Sequence, residues 1–147
     1  MRHFEFCENY EGKAIMPFRS TIASAGYDFF VPLGSSFLIT PGDIAFIHTG
    51  IKAKFPVGEV LYIFSRSSVA AKRGIVLANG VGVVDPDYYN NPTNEGNIII
   101  ALKNTSSEPQ MVLEGERIAQ GIFSPFFLVD DDSAVDLRTG GLGSTGK

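Results

Sequence analysis

The apolar residues of this chain come in short runs rich in Val, Ile and Phe, and turn-forming residues bound nearly every run. Runs this brief cannot build amphipathic helices, and branched and aromatic side chains favour the pleated strand. Strands are expected at Arg2–Cys7, Ser36–Thr40, Ile44–His48, Ile51–Phe55, Val60–Phe64, Ile75–Ala78, Asn97–Asn104 and Ile118–Ser124. Pro41-Gly42-Asp43, Pro56-Val57-Gly58, Pro86-Asp87 and Glu114-Gly115-Glu116 supply the turns. Ser68–Arg73 reads as a short helix with Ser67 or Ser68 as its N-cap. Many short strands at this spacing predict an all-β sandwich, barrel or jelly roll.

A chain of 147 residues, 44% hydrophobic and 19% charged, suffices for one domain with a buried core and is not a disordered one. Its net charge of −4 leaves no surplus of cations for a nucleic-acid backbone, so no nucleic-acid partner is expected. A mononucleotide needs only a few well-placed cations. One cysteine, Cys7, excludes an intramolecular disulfide, and with two His it cannot build a zinc site. Cys7 is expected as a small buried hydrophobe in the first strand. The opening residues, MRHFEFCENYEGK, hold no apolar signal-peptide core, and no run is long enough to span a bilayer. The expectation is a soluble cytoplasmic protein with no membrane partner.

The character changes after Asp130-Asp131-Asp132. Residues 1–137 read as the β domain and 138–147 as a flexible, Gly-rich C-terminal arm that packs no core of its own. In Arg138-Thr139-Gly140-Gly141-Leu142-Gly143-Ser144-Thr145-Gly146-Lys147, glycines free backbone N–H groups to converge on an anion, and hydroxyls and a guanidinium add donors. Taken alone, such a tail more commonly means an unstructured end. Its likeness to a Walker A loop fails, because no helix follows Lys147.

Three further patches carry possible chemistry. Ser65-Arg66-Ser67-Ser68 puts a cation and hydroxyls where a strand meets a helix, which suits a phosphate but equally provides caps and a surface cation. Asn79-Gly80-Val81-Gly82-Val83-Val84-Asp85-Pro86-Asp87-Tyr88 reads as a hairpin whose glycines let the backbone approach something flat. Asp85 could orient a water at its mouth; the plainer alternative is a turn carboxylate bonded to its own backbone. Asp28 and Gln120 are polar residues within apolar strands, individually uninformative.

In this order the patches resemble the five motifs of the trimeric dUTPase family. Ala25-Gly26-Tyr27-Asp28 is similar to the first, Ser65–Ala70 to the second, Asn79–Tyr88 to the third, Gly115–Gln120 to the fourth and Arg138–Gly146 to the fifth. The resemblance implies a jelly-roll-like β-clip subunit in a homotrimer, its active sites shared between subunits and its arm lent to a neighbour. It implies hydrolysis of dUTP to dUMP and diphosphate with Mg²⁺, by water attack at the α-phosphorus, removing dUTP and supplying dUMP for dTMP synthesis.

The resemblance also assigns roles. Asp85 would activate the water, and Tyr88 would lie against the deoxyribose where a 2′-hydroxyl would clash. Asn79 would bind the uracil edge, with Val83, Val84 and backbone around Asn97–Ile99 completing the base site. Arg66, Ser67, Ser68 and Gln120 would hold phosphates. Arg138, Gly143, Ser144 and Thr145 would close over the γ-phosphate, and Asp28 would reach waters on Mg²⁺.

Three departures from the family pattern stand out. Leu142 replaces the Phe that stacks on uracil, Ser65 replaces a Pro, and Tyr89–Glu95 lengthens the tip before Gly96. The related dCTP deaminases need a Glu on the strand after the hairpin, where this chain has Ala101. A protein-binding regulator on the same fold is the alternative from another class; the Tyr89–Glu95 tip would be its first surface.

Overall fold

A computed structural model describes residues 1–141. Eleven strands alternate with turns: β1 (His3–Phe6), β2 (Tyr27–Phe30), β3 (Phe37–Ile39), β4 (Ile44–His48), β5 (Ile51–Lys54), β6 (Glu59–Ser65), β7 (Ile75–Leu77), β8 (Gly82–Val84), β9 (Ile99–Asn104), β10 (Gln110–Val112) and β11 (Arg117–Pro125). One helix, α1 (Ser67–Arg73), and a 3₁₀ turn, Pro86–Tyr88, complete the described elements. All pairings are antiparallel. They form a four-stranded sheet β2-β11-β6-β8, a three-stranded sheet β4-β9-β7, and the pairs β1-β5 and β3-β10.

The expected all-β jelly-roll-like class is the observed one, and each expected strand is present within a residue or two at most ends. Two strands carried no legible signal. β2 buries Asp28, Phe29 and Phe30 in succession, so no alternation marks it, and β10 is only three residues long. Inner faces of the sheets meet through Phe29, Leu61, Ile63, Ile100, Leu102 and Ile118, all nearly inaccessible. Gly121 on β11 makes that packing possible: a Cβ there would stand 2.8 Å from the Phe29 ring and 3.0 Å from a Leu61 methyl. Close-packed interiors leave no room for it.

Three local expectations need correction. Arg66, not Ser67 or Ser68, is the N-cap of α1; its backbone is extended and no side chain caps the turn. The serine hydroxyls are exposed instead of spent on the backbone. Asn97 and Ile98 lie outside β9, because the Asn97 N–H goes to Asn94 O (2.9 Å) and the Ile98 N–H to Ile51 O (2.8 Å). Finally, Asn79–Val84 is no paired hairpin. β7 bonds to β9 and β8 to β6, so the chain crosses between sheets at Gly80, whose φ of 73° suits glycine. Splaying these two strands opens the space between the sheets.

Cys7 follows β1 rather than lying in it, and is buried at 3% exposure. Burial pushes its thiol up to about 11, so at neutral pH it is a neutral, apolar group, as expected.

Candidate active site

The splayed strands enclose a cavity of about 210 Å³. Its apolar walls come from Ile63 on β6, Leu77 on β7, Val83 and Val84 on β8, and Ile99–Ala101 on β9. Gly82 lets β8 lie close against β6, since a Cβ there would stand 3.0 Å from that of Ile63. Polar groups gather at the rim: Asn79 after β7, Asp85 at the end of β8, and Tyr88 on the 3₁₀ turn. Pro86 at the turn's first position holds Asp85 extended at φ −86°, ψ 157°. The Tyr88 ring is buried at 9% exposure, and its hydroxyl donates to Asn97 O at 2.9 Å.

Arg138 closes this rim. Its Nη2 donates to Asp85 Oδ2 at 2.5 Å and its Nε to Asp87 Oδ1 at 2.8 Å, while its guanidinium lies 5.7 Å from the Tyr88 ring centroid. The start of the arm therefore rests on its own chain's cavity, which Gly141 lines, and both Gly140 and Gly141 are buried.

A second cleft, also about 210 Å³, is lined by Ser20, Ser24, Gly26, Asp28, Arg66, Ser67 and Gln120. Here β2, β11 and β6 run side by side, which sets Gln120 between Asp28 and Phe64. Asp28 is 5% exposed; its Oδ1 takes Arg66 Nε at 2.9 Å, and its Oδ2 takes the Ser20 hydroxyl at 3.0 Å and Arg117 Nη1 at 3.3 Å. Two guanidinium groups against one carboxylate leave this cleft positive. Buried ion pairs of this kind hold a geometry rather than supply net stability. Gln120 Nε2 donates to Ser65 O at 3.3 Å. Ser65 itself accepts the Leu77 N–H on its hydroxyl at 3.0 Å, a bond joining the two sheets that a Pro side chain could not make.

Of the expected residues, Asp85, Tyr88, Asn79, Val83, Val84, Ile99 and Arg138 share the cavity, and Asp28, Arg66, Ser67 and Gln120 share the cleft. Ser68 lies instead on a shallower neighbouring groove with Lys72, Arg73 and Arg117. Asn97 stands behind the cavity wall, its side chain accepting the Gly50 N–H at 3.0 Å and its carbonyl accepting from Tyr88. Leu142, Gly143, Ser144 and Thr145 lie outside the described residues. Sequence reasoning missed Ser20 and Arg117, which complete the shell of Asp28, and the amides of Asn91 and Asn94 around Tyr88. The run of Asn between Tyr89 and Ile98 was the available signal for the last two.

An apolar cavity with a carboxylate at its rim, and a separate cleft of guanidinium, amide and hydroxyl groups, define a β protein equipped for a ligand part flat and part anionic. The chain belongs to the dUTPase family, whose model, described as dUTPase, matches residues 12–146. A deoxyuridine 5′-triphosphate nucleotidohydrolase of Lactococcus lactis subsp. lactis is 47% identical over 149 residues, 99% of this chain and 98% of the relative. The crystal structure of a dUTPase from Streptococcus mutans superposes with a TM-score of 0.81 at 46% identity, over 87% of this chain and 98% of that one. A mutant dUTPase of phage phi11 of S. aureus, described as revealing the coordination of a structural Mg(II) ion, shares the fold at TM-score 0.73 and 21% identity, over 94% of this chain and 99% of that one.

Proposed function

We propose that this chain is a dUTP diphosphatase, cutting dUTP to dUMP and diphosphate, and that it does so as a cytoplasmic homotrimer with shared sites. The observation that carries the reading is the meeting of the Asp85 carboxylate, the Tyr88 ring and the glycine-thinned β8 backbone around one cavity. Uracil would enter between β8 and β9, with Asn79 on its edge and the deoxyribose on Tyr88. Backbone this close leaves no space for a 5-methyl group, and a site built for a carbonyl rejects the amine of cytosine.

Asp85 would accept a hydrogen bond from the attacking water, aim it in line at the α-phosphorus and take its proton as the bond forms. Arg66, Ser67 and Gln120 would hold phosphate oxygens from the second cleft, with Ser68 beside them. Arg138, Gly143, Ser144 and Thr145 would close over the γ-phosphate, and Leu142 would cover the base. Arg138 rests on Asp85 in the structure; a bound triphosphate, being more negative, would compete for the guanidinium and leave the carboxylate to water.

The described residues hold no cluster of three His, Cys, Asp or Glu that would cage a metal ion. That suits Mg²⁺, which keeps its waters and binds mainly through substrate phosphates. Asp28 fits a contact through water, because among the described residues its Oδ1 has only the Arg66 guanidinium beside it, in an ion pair. When bound, the ion would supply positive charge against the phosphates, with Asp28 reaching it through water.

The test is diphosphate release from dUTP, dCTP, dTTP and UTP with Mg²⁺. Rapid turnover of dUTP alone is expected; ammonia from dCTP would instead favour deamination, against which stands Ala101 on the cavity wall, where no carboxylate is offered. Asp85→Asn should lower kcat at least about a hundredfold while a non-hydrolysable analogue still binds, and unchanged turnover would remove Asp85 from its role.

A further inference from the structure

Between Tyr88 and Gly96 the chain inserts seven residues, Tyr89–Glu95, and the amide side chains of Asn91 and Asn94 among them form one connected network. Asn91 is 5% exposed. Its Nδ2 donates to Tyr88 O at 2.9 Å and to Asn94 Oδ1 at 2.6 Å; its Oδ1 accepts the Thr93 N–H, the Thr93 hydroxyl and the Asn94 N–H. Asn94 Oδ1 also accepts the Gly96 N–H at 3.1 Å. Asn94 Nδ2 donates to the Tyr88 hydroxyl at 2.7 Å and to Asn97 O at 3.3 Å. The hydroxyl in turn donates to Asn97 O at 2.9 Å. Tyr88 is thus gripped at both ends, its carbonyl by Asn91 and its phenol by Asn94 and Asn97.

The backbone tightens the grip. Gly96 has a φ of 83°, and a Cβ there would stand 2.6 Å from Tyr88 O, so the returning chain presses directly on the Tyr88 peptide. The arm lies against the same group, since a Cβ on Gly141 would stand 3.3 Å from Asn94 Nδ2.

We propose that Asn94 is a positioning residue for sugar selection, fixing the Tyr88 ring so that it cannot yield to a 2′-hydroxyl. This rests on the reading of Tyr88 as the wall against the deoxyribose. Exclusion by shape works only against a wall that does not move, and a surrounding shell of hydrogen bonds is what holds a wall still. A phenol with both a donor and an acceptor in place cannot rotate its ring outward without breaking two bonds, one of them to a buried carbonyl. Asn94 does not itself line the cavity; it stands behind it, bonded to Tyr88 and lying beside Gly141, both of which do.

Asn94→Asp is the discriminating variant, because the carboxylate keeps the bonds accepted from Asn91 and Gly96 but cannot donate, so the Tyr88 hydroxyl loses its donor and has its single proton contested by the carboxylate and Asn97 O. In the full-length chain with Mg²⁺, the ratio of kcat/KM for dUTP over UTP should fall about tenfold, the worth of one such bond, through faster use of UTP. Tyr88→Phe should lower the same ratio, and Asn94→Asp added to it should do nothing more. A ratio unchanged by Asn94→Asp, or a loss that adds in full to that of Tyr88→Phe, overturns the proposal. If Asn94→Asp fails to fold, Tyr88→Phe decides alone: it removes the hydroxyl from both bonds, so an unchanged ratio overturns the proposal and a fallen one supports it. A wild-type chain that turns over neither nucleotide overturns the reading of the site and this proposal together. A selective wild type with an equally selective Asn94→Asp overturns this proposal only.

Discussion

Gly26 has no side chain, and the space one would fill belongs to Gln120: an added Cβ would stand 2.4 Å from Gln120 Oε1 and 3.2 Å from its Cβ. The glycine of the first motif and the glutamine of the fourth are therefore one device, joined by the β2–β11 register. Gly26→Ala should push the Gln120 amide off the cleft. Steady-state assays should show KM for dUTP raised several-fold with kcat less affected, the mark of lost binding shared by ground and transition states. An unchanged KM would mean that Gln120 holds no phosphate. None of this coupling can be read from Gly26 or Gln120 alone, since register across strands is not written in either segment. Asp28 shows the same limit. A polar residue among apolar ones is uninformative in sequence, yet Asp28 is buried and holds Arg66 and Arg117. Asp85 was legible, because Pro86 and the preceding Val pair fix its setting locally.

At the scale of elements, the Tyr89–Glu95 insert docks on β1 and β5. The Tyr89 hydroxyl donates to Glu5 Oε2 at 2.8 Å, Lys52 Nζ reaches Asn90 Oδ1 at 2.8 Å, and Lys52 and Lys54 both lie 5.4 Å from the Tyr89 ring centroid. An insertion met in sequence looks like a loose tip; its amides and this docking make it an ordered wall. The bonds from Tyr89 and His3 hold the Glu5 carboxyl below its usual value, and Glu5 in turn raises the Tyr89 phenol. A lowered carboxylate contributes stability above its unfolded pKa and loses it as pH falls through the folded one; the raised phenol contributes below its own unfolded value and loses that in alkali. The contact should thus be whole at neutral pH and fade in acid, as pH falls through the lowered Glu5 value. Thermal unfolding of wild type and Tyr89→Phe should differ by about 0.5 kcal/mol at pH 7, a small figure because the pair is partly exposed, and converge in acid once the Glu5 carboxyl is protonated. A gap that persists in acid would assign the difference to ring packing instead.

On the scale of the whole molecule, the cavity holding Asp85 and Tyr88 and the cleft holding Arg66 and Gln120 share no lining residue. On the roles proposed above, one dUTP would touch both kinds of group at once, because its base and its phosphates are joined. The order of motifs along the chain is silent about this separation, which arises only when β8 and β2 take opposite edges of the same four-stranded sheet. A threefold ring resolves it if the cavity of one subunit faces the cleft of the next, a head-to-tail contact that closes on itself. Asp85→Asn and Arg66→Ala homotrimers should then each be nearly inactive, while subunits unfolded and reassembled as an equal mixture regain activity. Half of the subunits carry an intact cavity and half an intact cleft, so about a quarter of the shared sites should be whole in random trimers. Diphosphate release at saturating dUTP should approach that fraction of the wild-type rate. If cavity and cleft of the same chain served one substrate, every site would carry one lesion whatever its neighbours, and the mixture would stay as inactive as its parents.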